Sequence, residues 1–433
     1  MFKKMLLVLI AAMLFSPSFA QAEKKWVTFG AIFPTTGPAA LIGDAMKAGT
    51  DLALEEVNKK WNGIVINGER HYFKYEHYDD SANPGKSPVG FRKLIDQYNV
   101  PFIIGPLGTP QSWAVGPIST EKEILWNAYS AADKTRKMGF TFMMQSRPPA
   151  NYMGVAMAKA AVDNGLKRFA VLTDISEAYV DWGKMYKKEA ERLGGVSVGF
   201  ESVDTKTISD YHSIMTKFKA AKPDIIVLLA YEEPNSQMVL HAREVGYKGP
   251  FFGNPNFTSV LIDIVGAKTV AGSFVDAWPQ NYFISKPKED VTGATTYLYK
   301  LYQKKYGSKA WHNIVGNLWD QVLHFIKALE VAQTTTDTLA MRAALNPAAK
   351  MVMNMQTSPY NGVLPNGMIT GWKDLLCQIQ PDGSLKKMGE LVTPTSVLRI
   401  YENPDDSPFH KLLKKRGVYD KYKAKGWLDY SGL

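Results

Sequence analysis

The chain is poor in the features that carry covalent chemistry. It has one cysteine, Cys377, so no internal disulfide can form, and its neighbours Leu375, Leu376 and Ile379 predict a buried, inert thiol. Gly37 and Gly43 suggest a phosphate loop, but no Gly-Lys-Ser/Thr follows, which excludes a Walker site. The seven histidines show neither HExxH nor paired Cys/His spacing, so no metal site is expected. Gly195-Val196-Ser197-Val198-Gly199 matches a nucleophile elbow, yet it lies where a helix passes into a strand, and that chemistry requires strand into helix. Asp79 and Asp80 are adjacent on an extended stretch and point to opposite faces, which favours a turn role over acid-base catalysis. No cofactor and no catalytic residue is expected. The net charge of +10 is spread along the sequence; its densest run, His410 to Arg416, reads as one solvated helical face, not a nucleic-acid surface.

What is present begins with an address. Lys3 and Lys4 precede an apolar run from Met5 to Phe15, and Ala20-Gln21-Ala22 fits a cleavage site, so an exported protein cleaved near Ala22 is expected. That run is too short to span a bilayer.

Val27 to Phe33 reads as a buried strand, broken by Pro34-Thr35-Thr36-Gly37-Pro38. Ala45, Ala48, Gly49, Leu52 and Ala53 then mark one face of a helix packed closely on a sheet. The amino end of that helix favours anions, with Thr35 and Thr36 as possible further donors. The strand-then-helix rhythm repeats to about Gln145, with strands predicted at 71–78, 100–104 and 124–128. A second set runs from Arg147 to Ala277, after which come long helices over 290–306 and 315–331 and another at 336–345, with a late strand at 375–379. Those helices need a sheet to cover, which makes the first lobe discontinuous. Trp113, Trp126, Tyr129, Tyr152, Tyr179, Trp182, Tyr231, Phe257, Trp278 and Tyr282 fall at or just beyond predicted strand ends, where open α/β sheets place ligands. Core packing explains part of this set; the rest could line a cleft, with hydroxyls of Thr109, Ser112 and Ser130 orienting a polar head group.

Four stretches in order carry a likeness to a known family: Phe33-Pro34-Thr35-Thr36-Gly37-Pro38 with Gly43 and Glu55 to Asn58; Tyr78-Asp79-Asp80 with Asn83-Pro84; Ile103-Ile104-Gly105-Pro106 through Ser112; and Tyr231 followed by Ala242 to Gly246. Together they resemble the branched-chain amino-acid binding proteins, the leucine-binding-protein-like type I periplasmic receptors of ABC importers. The resemblance implies an α/β fold of two doubly wound parallel-sheet lobes joined by a hinge of three crossings. The lobes would comprise 23–145 with 277–371 and 146–276 with 372–390, after a signal peptide over 1–22 and before a C-terminal extension over 391–433 that wraps the surface. It also implies first-lobe ligand contacts at Thr109, Gln111 and Ser112 and around Ser130 and Ala132, and second-lobe contacts at Tyr179 and Tyr231. The family's acidic acceptor for an α-amino group would lie in Gly253-Asn254-Pro255-Asn256-Phe257, where Asn254 and Asn256 stand and no carboxylate does. Pro110 replaces a hydroxyl-bearing residue, and Ala82 and Gly108 occupy the positions of a disulfide often seen in the family.

The function expected is that of a periplasmic receptor, not an enzyme. It would close over a small carboxylate, either an aromatic or apolar acid or a branched-chain or other amino acid, and deliver it to an inner-membrane ABC permease. A monomer is expected, with no nucleic-acid partner. The alternative is a ligand-sensing regulator on the same fold, like the amide sensors; the export segment argues against it. An exported enzyme using the inter-lobe cleft would need a convergent nucleophile and base.

Overall fold

The computed structural model describes residues 24–37, 39–148, 150–257, 259–307, 311–392 and 407–430. The export segment and its cleavage site lie outside these residues, as does most of the junction leading into the C-terminal extension. No helix among the described residues is long and apolar enough to cross a membrane.

Strand β1 (Lys25–Ile32) is the buried run anticipated above, with Phe29 and Ala31 fully enclosed. It ends where Pro34 interrupts the ladder, and helix α1 (Ala40–Glu55) returns over it. Gly43 permits that return: a Cβ there would sit 2.1 Å from the Pro34 carbonyl oxygen. The alternating pattern predicts a strand from His71, but the structure has a hairpin, β2 (Ile64–Ile66) with β3 (Glu69–Tyr78). Its turn is Asn67-Gly68, with φ of 49° and 79°, the left-handed pair that matches strand twist. Helix α2 (Ser87–Tyr98), β4 (Phe102–Leu107), α3 (Thr109–Lys122), β5 (Leu125–Tyr129), α4 (Lys134–Lys137) and β6 (Met143–Gln145) complete the first pass. The sheet order is β2-β3-β1-β4-β5-β6, parallel except at the hairpin.

The second lobe follows as α5 (Ala150–Asp163), β7 (Arg168–Asp174), α6 (Glu177–Arg192), β8 (Val196–Val203), α7 (His212–Ala220), β9 (Ile225–Leu229), α8 (Glu232–Glu244), β10 (Phe251–Gly253), α9 (Ser259–Val265), α10 (Ala267–Val270) and β11 (Phe274–Ala277). After α11 (Pro279–Ser285) the chain returns to the first lobe as α12 (Ala294–Tyr306), α13 (Ile314–Ala332) and α14 (Thr338–Val352). Helix α12 starts later than its pattern suggests because Asp290 acts as a cap, accepting from the amide (2.8 Å) and hydroxyl (2.9 Å) of Thr296. A short hairpin, β12 (Gly362–Val363) and β13 (Ile369–Thr370), leads to β14 (Asp374–Ile379) and β15 (Leu385–Leu391), which close the second sheet in antiparallel pairing. Its order is β15-β14-β11-β10-β9-β7-β8. The chain therefore passes between the sheets three times, after β6, after β11 and after β13.

Helix α13 is buried nearly all round, and Phe325 lies against Phe102 of β4 with ring centroids 5.2 Å apart. Several of its polar side chains are bonded inside, while the buried Asn317 Oδ1 has no partner among the described residues. Asp320 accepts from the Thr357 and Ser358 amides at 2.7 and 3.0 Å. His324 donates from Nε2 to the Leu345 carbonyl (2.7 Å) and accepts at Nδ1 from Tyr360 (2.9 Å). Burial pushes the His324 imidazole down to about 4, so it is neutral. The helices α15 (Pro408–Lys415) and α16 (Tyr419–Ala424) contribute Phe409, Leu413 and Tyr422 to this lobe's core, joined by Trp427.

Candidate functional site

The carboxyl ends of the parallel strands in each lobe are the position where open α/β sheets hold ligands. In the first lobe, Gly108 (φ 104°) turns the chain from β4 into α3 and places Thr109 at the helix start. The Thr109 hydroxyl lies 2.9 Å from that of Ser130, just beyond β5, which in turn lies 2.8 Å from the Thr135 hydroxyl. Trp113 donates its indole N–H to Thr135 (2.9 Å), and the Ala132 amide donates to Ser130 (3.3 Å). The result is a chain of hydroxyls with rotatable protons at one wall of the cleft. Ser112 is fully buried, and its hydroxyl has no partner among the described residues. Gln111 is turned aside to the Ala82 carbonyl.

In the second lobe, Tyr179 from the first turn of α6 meets Tyr231, which precedes α8, edge to face at 5.4 Å between centroids. Asn256 donates its amide to the Tyr179 hydroxyl (2.7 Å) and to the Ala230 carbonyl (3.1 Å). Burial, then the neighbouring Tyr231, raises the Tyr179 phenol far above its ordinary value, which keeps it a neutral donor. Tyr231 is 56% exposed. Asn254 belongs elsewhere: it is buried, donates to the Ala230 carbonyl (3.0 Å) and accepts from Asn235 (3.2 Å), bracing the strand ends from behind. Thus the structure brings Thr109, Ser130 and Ala132 together on one wall and Tyr179, Tyr231 and Asn256 on the other.

The two walls touch. The Ala150 amide donates to the Ala131 carbonyl at 2.8 Å, and the Asp133 amide donates to Asp181 at 3.4 Å. Burial, and then the charge of Asp133, raises the Asp181 carboxyl.

In the turn that leads into α1, Thr36 is already engaged: Asp79 accepts from its hydroxyl (2.6 Å) and amide (3.3 Å) and from the Ser81 amide (2.9 Å). Asp80 accepts from Ser87 (2.6 Å) and the Ala82 amide (3.0 Å), so both acids build the turn. On the far surface of the second lobe, Asp210, His212 and His241 have donor atoms within 4.8 Å of one another, a grouping that sequence spacing does not reveal. His212 is already held between Asp210 (2.7 Å) and Glu244 (2.6 Å), an arrangement that raises its pKa and describes an ion-pair cluster.

One residue at the cleft carries no sequence signal beyond its place beside Pro148. Arg147, in the first passage between lobes, has its guanidinium 5.4 Å from the Tyr129 ring centroid and 4.8 Å from that of Trp278. Tyr129 ends β5 of one sheet and Trp278 follows β11 of the other, so the cation is flanked by an aromatic from the strand ends of each sheet.

A family model described as periplasmic binding protein matches residues 27–363, most of the chain. The chain belongs to this family, whose members are binding proteins and not enzymes. It is similar to a Leu/Ile/Val-binding protein, BraC3, of Rhizobium johnstonii, 24% identical over 273 residues that cover 63% of this chain and 71% of the relative. Among solved structures it resembles the branched-chain amino-acid binding protein LivJ of Streptococcus pneumoniae in complex with isoleucine, with a TM-score of 0.67, 18% identity, and coverage of 86% of this chain and all of that one. It resembles equally a solute-binding protein of R. palustris in complex with 4-hydroxybenzoate, with a TM-score of 0.67, 20% identity, and coverage of 86% and 99%. The fold is therefore that of a leucine-binding-protein-like, type I periplasmic binding protein, and family membership implies a periplasmic location.

Proposed function

We propose that this periplasmic binding protein is the receptor of an ABC importer, capturing a small carboxylate between its lobes and handing it as a monomer to an inner-membrane permease. This reading is supported by a polar-aromatic cluster at the strand ends of each lobe, the Thr109, Ser130 and Thr135 hydroxyls in one and Tyr179, Asn256 and Tyr231 in the other, with Asp133 and Asp181 in contact beside them. A ligand that bridges them stabilises the closed arrangement by its contacts with both lobes, and that arrangement is what a permease recognises. Thr109, Ser112, Ser130 and the Ala132 amide bind the carboxylate in this reading, while the tyrosines, with Asn256, hold the body. Gln111 and Asn254 hold the loops that present them. Leucine-like ligands and aromatic acids are the candidate classes, as in the isoleucine and 4-hydroxybenzoate complexes of similar folds. The absence of a carboxylate from 253–257 favours acids without an α-amine, since a buried ammonium lacking an anionic partner is costly. The lobes divide at 145/146, 276/277 and 371/372, with 23 as the first mature residue.

A ligand that binds only the folded state raises the melting temperature by mass action. Thermal-shift measurements with leucine, isoleucine, benzoate and 4-hydroxybenzoate should therefore give a shift with at least one; no shift with any of them refutes the reading. Tyr231→Ala should weaken the ligand found by about tenfold, the scale of one lost aromatic contact. Unchanged affinity by calorimetry removes Tyr231 from the site.

A further inference from the structure

Among the described residues, Arg147 is a cation without a counter-ion in contact. Among the described residues no carboxylate pairs with it and no group accepts a hydrogen bond from its guanidinium; its Nε is buried and unpartnered. Its position is fixed instead by the rings of Tyr129 and Trp278. Its charge reaches both walls: against the larger effect of burial, it favours ionisation of Tyr129, Tyr179 and Tyr231. The other titratable groups within its reach are His312 and the aspartates Asp276 and Asp374, neither of which touches it. A charge kept partly out of water with no partner is unfavourable, and a guanidinium held on aromatic faces leaves its planar N–H fork available for a carboxylate.

The geometry points to Arg147 as a further anion-binding group that adds its charge to the neighbouring Thr109–Ser130 hydroxyls, pairing with the ligand carboxylate at the first passage between lobes and selecting acids that carry no α-ammonium. This rests on the receptor reading above and sharpens its ligand class. Because the rings that hold Arg147 come from strand ends of the two different sheets, an acid paired with it is in contact with the hinge, and closure follows from that pairing.

The test is calorimetry on the full chain with benzoate and 4-hydroxybenzoate, their neutral amides, and leucine, using wild type, Arg147→Gln and Arg147→Lys. The wild type should bind an acid about ten- to hundredfold tighter than its amide, the scale of a charge-assisted hydrogen-bonded pair. Arg147→Gln should lose that preference, and Arg147→Lys should keep part of it. Equal wild-type affinity for acid and amide overturns the inference without needing a variant, so a poorly folding Arg147→Gln does not shield it. An acid bound as tightly by Arg147→Gln as by wild type overturns it while the receptor reading stands, as does leucine binding alone. No binding of any probe overturns both.

Discussion

Two buried acids beside the hinge should make stability fall as pH rises. Asp276 on β11 and Asp374 on β14 are 1% and 2% exposed. The antiparallel register sets Asp276 opposite Leu376, so Asp374, two residues away, lies on the same face and within reach. Burial foremost raises both carboxyls, Asp374 to about 7, and the charge of Asp374 lifts Asp276 further; a proton between them lets one donate to the other. A carboxyl whose folded pKa exceeds its unfolded one contributes stability that is complete below the unfolded value, near 4, and is lost as pH rises through the folded value. At about 1.4 kcal/mol per pH unit for one proton, the Asp374 proton alone accounts for about 2 kcal/mol between pH 5 and 7. His324 titrates in the opposite sense, since its folded pKa of about 4 means stability is lost as pH falls from 6.5. The informative quantity is therefore the difference between wild type and Asp374→Asn, in which His324 cancels and the new amide can still donate to Asp276. Urea denaturation followed by tryptophan fluorescence at pH 5, 6, 7 and 8 should show wild type losing about 2 kcal/mol relative to the variant between pH 5 and 7. Parallel profiles for the two proteins would refute the shared-proton account.

Gly43→Ala places a methyl 2.1 Å from the Pro34 oxygen and 2.5 Å from its carbon, so the variant should be destabilised by about 2 kcal/mol or more; an unchanged urea midpoint would mean that α1 can lift off β1 freely. Ending the chain at residue 406 uncovers the core that Phe409, Leu413, Tyr422 and Trp427 help close, and should cost several kcal/mol at about 1.5–3 kcal/mol per large apolar side chain. A truncated chain with the wild-type melting temperature would make these helices an appendage instead of part of the first lobe.

Much of the fold was legible because its signals are local. Pro34 after a buried run, small residues on one face of α1, and an apolar α13 with no strand of its own each dictate an element or the need for a covering sheet. The β2–β3 hairpin was equally legible, since Asn67-Gly68 between Val65-Ile66 and the next alternating run is a strong turn signal; the alternation from His71 alone hides it. The antiparallel β14 and β15 were less so. A short apolar run such as Leu375 to Ile379 fits either direction of pairing, and only the arriving chain path, from β13 in the other lobe, decides it.

Site residues divide by the kind of information that places them. Thr109 and Ser130 are 21 residues apart, and they lie just beyond the ends of neighbouring strands in the same parallel sheet, so strand grammar alone brings their hydroxyls near each other. Tyr179, Tyr231 and Asn256 follow the same rule in the second lobe. Arg147, Asp276 and Asp374 do not. Each looks ordinary in sequence, one a basic residue before prolines and two acids in or beside apolar runs. Their meaning comes from three separate passages of chain converging on one hinge, where a charge unremarkable on a surface becomes expensive unless it is neutralised by a proton, as on the acid pair, or by a partner. The acid pair satisfies that condition within the protein. Arg147 has no such partner among the described residues, and in the proposed reading the ligand carboxylate supplies it, which is why the least conspicuous residue of the hinge is the one that most narrows what the cleft would hold.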